Sequence, residues 1–494
     1  MRAPRILAIV AIAALCGCSG AANGGAGSLL PPAHVGQPAA TQIRLVGIGD
    51  SLTAGFQSGG LVGASVPTPA LVPQLGNVFP AGPTQENGFW ALLWEAVNGS
   101  GTGVVSNSAT SPLPLIAPPG LGNLLALTSS GFPLGLNPTP AGSSCNATTR
   151  AAYDIATAPS LRLSPSVTPY DVAIPGMTLH EALAMTGPLS TCGAVPTALA
   201  GLNALVGSES ENFYPILAGF GAGVTQVEAA VALHPQYATV LLGENDLLKP
   251  AFSNNGAPVT APSSFRDDTA AIVAQLRAAG ANVLLANLPD PLKAATFIPQ
   301  PFYTATLAAV LTTSIAQQNP TLPLSNARAL AAQTAQFYAS AEIAQSGLGA
   351  GGYFTINALF ATLAAAAQQG PPPTLSPVGD FVSDALAAQT ESLLGAYNAA
   401  IASVATTKGV ALVDLNALNT QVSYGAAIQV APGDFVTATY GGGLYSLDGL
   451  HPSNTGYAVI ANAFVAAMNR SFGTSVPTID VDAIYRADPS RFAH

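Results

Sequence analysis

The chain has 494 residues, of which 49% are hydrophobic and 8% are charged, so it can bury a large core and is not disordered throughout. Its 14 basic and 24 acidic residues leave a formal net charge of −10, which argues against a nucleic-acid-binding surface. The mean hydropathy is +0.41, but the long uncharged stretch 96–149 contains seven prolines. A membrane-spanning helix needs about 20 apolar residues without such breaks, which excludes a polytopic membrane protein.

The amino terminus is typical of an export signal. Arg2 and Arg5 precede an apolar run, 6–15, that is too short to span a bilayer. The segment Leu15-Cys16-Gly17-Cys18 resembles a bacterial lipobox, in which a cysteine that follows a small residue becomes lipidated. Cys18 fits this pattern because Gly17 precedes it. The alternative is an ordinary signal peptide that contains cysteines.

We therefore predict a signal peptide over 1–17 and a lipidated Cys18 that opens a flexible tether, 18–40. The protein would be exported and held as an outer-membrane, cell-surface or periplasmic lipoprotein, with the membrane as a partner through this anchor. Cys145 and Cys192 are expected to form a disulfide in an oxidising compartment, and two unpaired buried thiols are the alternative.

Strands and helices are predicted to alternate along the rest of the chain. Five short apolar runs are typical of buried strands: 43–48, 170–174, 237–242, 282–288 and 410–413. Helical spacing predicts helices at 89–97, from about 178, over 265–279 capped by Ser263 or Ser264 and stopped by Gly280, over 381–405, and over 457–468 capped by Ser453 or Asn454. This alternation predicts an α/β fold with a doubly wound, mostly parallel five-stranded sheet.

Two regions interrupt the alternation, and we interpret them as insertions into a domain that spans 41–475. The first, about 57–166, is rich in Pro, Gly and Ser; the second, about 294–379, is Ala-rich and helical. The segment 302–367 has no charged residue except Arg328 and Glu342. It could form an apolar wall over a site at the strand ends and favour acyl chains, or simply pack as extra core. Residues 476–494 are assigned to a C-terminal tail.

The first candidate for chemistry is Ser51, in the run Gly49-Asp50-Ser51 at the end of the first predicted strand. A serine on a tight strand-to-helix turn exposes its hydroxyl, and the following backbone N–H groups face incoming negative charge. Taken alone, a helix cap is the better interpretation of Ser51.

The second candidate is Asn245, in the run Gly243-Glu244-Asn245-Asp246 after the third predicted strand. Its amide can donate to a developing oxyanion, although Asn and Asp after a strand more commonly form turns.

The third candidate is the pair Asp448 and His451. An Asp three residues before a His can reach Nδ1 of the imidazole within one loop and leave Nε2 free as a base. The alternative is a turn in which both side chains bond only to the backbone.

Together these segments resemble the GDSL, or SGNH, hydrolase family, whose four blocks match Ser51, Gly176, Asn245 and His451 in order. The resemblance implies the flavodoxin-like fold of that family, with Ser51 as nucleophile, His451 as base and Asp448 as its orienting residue. It also implies an oxyanion hole made by the Ser51 N–H, the Gly176 N–H and the Asn245 side chain. Within these motifs we interpret Asp50 and Asp246 as turn and hydrogen-bond scaffolding. Glu244 occupies the variable position, and 125 residues separate the first two blocks, which is wider than usual.

The resulting hypothesis is a serine esterase or lipase that hydrolyses carboxylic esters through an acyl-Ser51 intermediate. A carbohydrate acetylesterase with the same site, or a non-catalytic surface-binding lipoprotein, are the alternatives. The sequence has no G-x-S-x-G elbow and no His pair with zinc-ligand spacing, and no Walker or dinucleotide glycine loop follows a predicted strand, so neither a metal nor a nucleotide cofactor is implied. The expected partners are an ester substrate, for which a lipid is one candidate, and the membrane; neither nucleic acid nor an obligate protein partner is indicated.

Overall fold

The structure, a computed structural model, describes residues 42–57, 61, 63, 84–99, 111–116, 162, 167–186, 210, 214–217, 219–220, 223–253, 259–446 and 448–488. The predicted signal peptide, the tether with Cys18, the pair Cys145 and Cys192, and most of the first insertion lie outside these residues. Every structural statement below concerns the described residues.

The elements follow one another in mixed order. The strands are β1 (Leu45–Gly49), β2 (Tyr237–Leu241), β3 (Asn282–Ala286), β4 (Phe297–Pro299), β5 (Tyr353–Thr355), β6 (Phe381–Val382), β7 (Ala411–Val413), β8 (Ile428–Ala431) and β9 (Asp434–Val436). The helices are α1 (Ser51–Ala54), α2 (Phe89–Asn98), α3 (Leu179–Ala184), α4 (Gln226–Ala232), α5 (Glu244–Ser253), α6 (Pro262–Ala278), α7 (Gln300–Gln318), α8 (Leu324–Ser346), α9 (Ile356–Ala367), α10 (Asp384–Lys408), α11 (Leu415–Thr420), α12 (Asn454–Phe472) and α13 (Val481–Ala487).

A four-stranded sheet forms the centre of the molecule, in the order β1-β2-β3-β7, and all its neighbours are parallel. In this register Leu45 lies opposite Tyr237, and Tyr237 lies opposite Asn282. Because all the strands run in one direction, their carboxyl ends meet at one edge of the sheet. The predicted mixed α/β class with a parallel sheet is therefore confirmed.

One of the five predicted strands, 170–174, is not formed as a strand. This segment runs beside β1 with a single parallel bridge from Gly47 to Asp171. Three hydrogen bonds hold it there: Gly47 N–H to the Tyr170 carbonyl at 2.9 Å, Val172 N–H to the Gly47 carbonyl at 3.0 Å, and Ile174 N–H to the Gly49 carbonyl at 3.1 Å. The segment 170–174 is thus an extended edge of the central sheet, and the turn Pro175-Gly176 ends it early.

Helices cover both faces of the sheet because successive side chains of each strand point to opposite sides. On one face Val46 and Ile48 of β1 pack in a core that contains residues of α4, α6 and α10. On the other face Leu45 belongs to a second core, formed with α2 and α12. The sheet is buried on both sides, as its continuous apolar strands predict.

Several predicted helix boundaries were wrong. Neither Ser263 nor Ser264 caps α6, which begins at Pro262 after Ala261 without a side-chain cap. Proline suits the first helical position because its missing N–H would have no partner there. The helix predicted from Phe381 begins three residues later as α10, where Ser383 accepts a hydrogen bond from the Leu386 N–H.

The predicted insertion at 294–379 holds α7, α8 and α9 and two strands of a small antiparallel sheet, β4-β5-β6. Its large apolar side chains pack mainly against one another in a separate core that includes Tyr303, Leu307, Tyr338, Phe354 and Leu359. This packing favours extra core over an apolar substrate wall.

The segment assigned to a C-terminal tail contains α13. Asp488, just beyond it, accepts hydrogen bonds from both the N–H and the hydroxyl of Thr455 at 2.8 and 2.6 Å, which docks the end of the segment on α12. Among the described helices, none has the length and hydropathy needed to cross a membrane.

Candidate active site

Ser51 lies at the sharp turn between β1 and α1. Asp50, not Ser51, caps this helix: its Oδ1 accepts a hydrogen bond from the Leu52 N–H at 3.0 Å. The Ser51 hydroxyl makes no hydrogen bond with any described residue, and Ser51 is half-buried. Gly49 is required here because a Cβ atom at this position would lie 1.9 Å from Thr53 Oγ1. The turn therefore presents a serine whose hydroxyl is available for chemistry.

Asp448 and His451 form a buried pair in the loop before α12. Oδ2 of Asp448 lies 2.9 Å from Nδ1 of His451, and both side chains are almost fully buried. Oδ1 of the same carboxylate accepts hydrogen bonds from the backbone N–H groups of Leu450 and His451 at 2.9 and 2.8 Å. Such a carboxylate holds the imidazole with its proton on Nδ1 and leaves Nε2 as the acceptor.

His451 lies beside the Ser51 turn. Its ring contacts the ring of Phe56, with 4.7 Å between centroids. The Phe56 N–H donates to the Ser51 carbonyl at 3.0 Å, and the Phe56 carbonyl accepts from the Tyr457 hydroxyl of α12 at 2.7 Å. No hydrogen bond joins Ser51 to His451 in the described chain, and in unliganded sites such bonds are commonly long.

Asn245 joins the first three motif blocks. Its Nδ2 donates to Asp50 Oδ2 at 3.0 Å and to the Met177 carbonyl at 3.1 Å. Beside it, Asp246 accepts from the Leu179 N–H at 3.0 Å. Since both amide protons of Asn245 are engaged, it can donate to an oxyanion only by exchanging one of these bonds.

Gly176 lies in this cluster, in the turn before α3, with φ at +78°, a conformation that favours glycine. The N–H groups of Gly176 and Ser51 have no hydrogen-bond acceptor among the described residues. Two of the three predicted oxyanion donors are therefore free, and the third is committed.

Burial dominates the electrostatics of the site. It raises the pKa of Asp50 to about 6, while the Leu52 N–H bond, the neighbouring Glu244 carboxyl and the charge of His451 act in the opposite direction. Burial and the nearby Asp50 raise the pKa of Glu244 well above its ordinary value. Burial also raises the pKa of Asp246, against the hydrogen bond from Thr260.

Glu244 is a site residue that the motif comparison missed, because it occupies the variable position. The available signal was its place directly after Gly243 at the end of a buried strand, where an acidic side chain has little access to water. Gly243 has φ at +122°, and a Cβ atom there would lie 2.7 Å from the Phe265 ring. This tight packing leaves the Glu244 carboxyl inside the protein.

The small sheet of the insertion is attached to the His451 loop. The Thr296 N–H donates to the Gly449 carbonyl at 2.7 Å, and the Ile356 N–H donates to the Thr296 carbonyl at 3.0 Å. Phe297 and Leu450 also share an apolar cluster. The base of the insertion therefore supports the loop that carries Asp448 and His451.

Within the described ranges, no group of three or more His, Cys, Asp or Glu side chains is arranged to hold a metal ion. Comparisons of the chain with protein families, with curated proteins and with solved structures gave no match. The conclusions about function therefore depend on the geometry of the site and on the motifs.

Proposed function

We propose that the protein is a serine ester hydrolase of the GDSL, or SGNH, type, with the edge segment 170–174 in the place of the fifth strand of that family's flavodoxin-like fold. The observation that carries the proposal is the buried Asp448–His451 pair, which faces the same turn as an unbonded Ser51 hydroxyl. A buried Asp that orients a His beside a free Ser is the arrangement that activates a serine nucleophile.

In the proposed reaction His451 Nε2 takes the proton of Ser51 Oγ as this oxygen attacks the ester carbonyl. The N–H groups of Ser51 and Gly176 stabilise the oxyanion, and Asn245 joins them when its bond to the Met177 carbonyl is released. His451 then protonates the departing alcohol. Water, activated by the same imidazole, hydrolyses the acyl-Ser51 ester.

The decisive experiment combines labelling by a fluorophosphonate probe with hydrolysis of a short p-nitrophenyl ester. Wild type should react in both assays, and Ser51→Ala should lose both while it stays folded by circular dichroism. Ser263→Ala, which changes an exposed serine of α6, is the matched control and should behave like wild type. Near-normal turnover by Ser51→Ala would reject Ser51 as the nucleophile.

A panel of substrates distinguishes this proposal from a carbohydrate acetylesterase, the alternative that uses the same catalytic residues. Alkyl and aryl esters of increasing acyl length should be tested beside acetylated sugars. Turnover of acetylated sugars without turnover of alkyl esters would assign the site to a carbohydrate esterase. If Ser51 does not react in the labelling assay, the result would favour the alternative of a non-catalytic surface-binding lipoprotein.

The location of the protein at a membrane is also a proposal. An acyl chain on Cys18 would hold the enzyme at a membrane, and the residues that follow it would act as a tether. Cys18→Ser should move the protein from the membrane fraction to the soluble exported fraction and abolish incorporation of labelled fatty acid. A variant that stays membrane-bound would contradict lipidation at Cys18.

A further inference from the structure

Glu244 is a buried carboxyl group without a donor. It is the first residue of α5, its exposed fraction is 5%, and neither side-chain oxygen accepts a hydrogen bond from any other described residue. An ionised carboxylate left in this state would be strongly unfavourable, because nothing replaces the water that solvates it. The group is therefore stable here as a neutral acid, which carries one O–H donor.

Asp50 is the neighbouring carboxyl group that can accept from this donor. Asp50 is fully buried, its Oδ1 is bonded to the Leu52 N–H and its Oδ2 to Nδ2 of Asn245. The other charged groups that act on the pair are His451, which faces Asp50 from the loop before α12, and Asp246 on α5 itself. His451 favours the ionised form of Asp50, and Asp246 disfavours ionisation of both carboxyls.

We propose that Glu244 is a positioning residue of the site: its protonated carboxyl donates a hydrogen bond to the Asp50 carboxylate and so holds Asp50 on the Asn245 amide. This inference rests on the proposed function, because the site that Glu244 supports is the one formed by Asn245 and the Ser51 turn. The proton resides on Glu244 because both oxygens of Asp50 accept hydrogen bonds from N–H groups, which stabilises the Asp50 carboxylate, whereas the Glu244 oxygens accept none from another residue.

The arrangement has a consequence for pH dependence. Above the pKa of Glu244 two carboxylates would face each other in a buried space, and their repulsion would displace Asp50 from Asn245. Activity should therefore fall at alkaline pH along a limb that belongs to Glu244.

The test is the pH profile of kcat/KM on a soluble acetate ester. The rate of hydrolysis at each pH is measured by pH-stat titration. Glu244→Gln keeps a donor toward Asp50 but cannot ionise, so it should retain at least a third of the neutral-pH activity and lose the alkaline limb. Glu244→Ala removes the donor and should lose about 10- to 100-fold, the range expected for a hydrogen bond to a charged group.

Glu342→Gln is the matched control, because Glu342 is another fully buried carboxyl, bonded to Thr362 in the insertion. It should leave the profile unchanged. An alkaline limb in Glu244→Gln identical to that of wild type, or full activity in Glu244→Ala, would overturn the proposal while leaving Ser51 as the nucleophile.

A second measurement does not depend on turnover. The infrared difference spectrum of wild type minus Glu244→Gln at neutral pH should contain the C=O stretch of a protonated carboxylic acid. Its absence would overturn the proposal even if Glu244→Ala failed to fold. If wild type neither hydrolyses esters nor reacts with the fluorophosphonate probe, the proposed function fails, and this band still decides whether Glu244 holds the proton.

Discussion

The strand-end site and the helical insertion bury very different side chains. At the carboxyl ends of the central strands, six polar or charged groups are buried within one cluster: Asp50, Glu244, Asn245, Asp246, Asp448 and His451. Across β4 to β6, including α7, α8 and α9, the one buried charged side chain among the described residues is Glu342. Two parts of one low-charge chain thus follow opposite packing rules.

The insertion is held together by the close packing of apolar side chains. Every fourth residue on the buried side of α8 is a small one, Ala327, Ala331, Ala335 and Ala339, which allows close approach of α7. The rings of Tyr303 and Phe354 stack with 4.0 Å between centroids. Large apolar side chains such as Phe337, 60% exposed, remain on its outer surface.

The site is held together by hydrogen bonds between groups that would each be unfavourable if buried alone. The Asp50 carboxylate links Leu52 and Asn245, and Asp448 links Leu450 and His451. If the proposed function is right, the sheet region accepts a cost in stability to preorganise its chemistry, whereas the insertion serves as a scaffold. The four changes below test this difference.

Asp448→Asn should have the largest effect. An amide in place of the carboxylate favours the wrong tautomer of His451, so kcat/KM should fall by about 10³ to 10⁴ without loss of fold. Asp268→Asn is the matched control, because Asp268 forms a 3.1 Å pair with the exposed His180. Near-normal turnover by Asp448→Asn would remove Asp448 from the catalytic group.

Asn245→Ala should be next in size. Loss of one oxyanion donor lowers kcat by about 10² to 10³. The rate of acyl transfer from a short p-nitrophenyl ester should be measured in the presteady state, since the acyl-enzyme should still form. A change smaller than about threefold would mean that Asn245 serves only to bridge Asp50 and Met177.

Asp171→Asn should change how stability depends on pH. Asp171 is buried beside β1, and burial raises its pKa to about 8, against the hydrogen bond from the Ala173 N–H. Between about pH 4 and pH 8 the folded protein keeps this proton and the unfolded chain loses it, so stability falls as the pH rises. Removing the group should lower that slope by up to about 1.4 kcal/mol per pH unit.

Urea unfolding at a series of pH values between 4 and 8 gives the slope directly. At the alkaline end of this pH range, Asp171→Asn should be more stable than wild type. A variant whose pH dependence equals that of wild type would show that Asp171 titrates normally in the folded state.

Ala335→Leu should have the smallest effect of the four, and only on the insertion. A larger side chain at this α7–α8 contact overpacks the core and should destabilise the protein by about 1–3 kcal/mol. Ala332→Leu, on the exposed side of the same helix, should stay within about 0.5 kcal/mol of wild type. Fluorophosphonate labelling of Ser51 should be unchanged in both, and a loss in Ala335→Leu would show that the insertion and the site are coupled.

Much of the fold follows from local patterns. The apolar run before Gly49 and the spacing of Phe89 to Val97 predict β1 and α2, and both form close to the predicted residues. The Asp448–His451 contact was also predictable, because the two residues lie only three positions apart in one loop. These features depend on backbone periodicity and turn geometry, which neighbouring residues define.

Other features depend on residues far apart in the chain. Asn245 meets Asp50 and Met177 across 195 and 68 residues, and Glu244 lacks a donor only because these elements converge around it. Phe381 and Val382 join β5 instead of a helix because a strand is there to pair with. Local sequence cannot specify such contacts, since hydrogen-bond partners and burial arise when the strands and helices pack together.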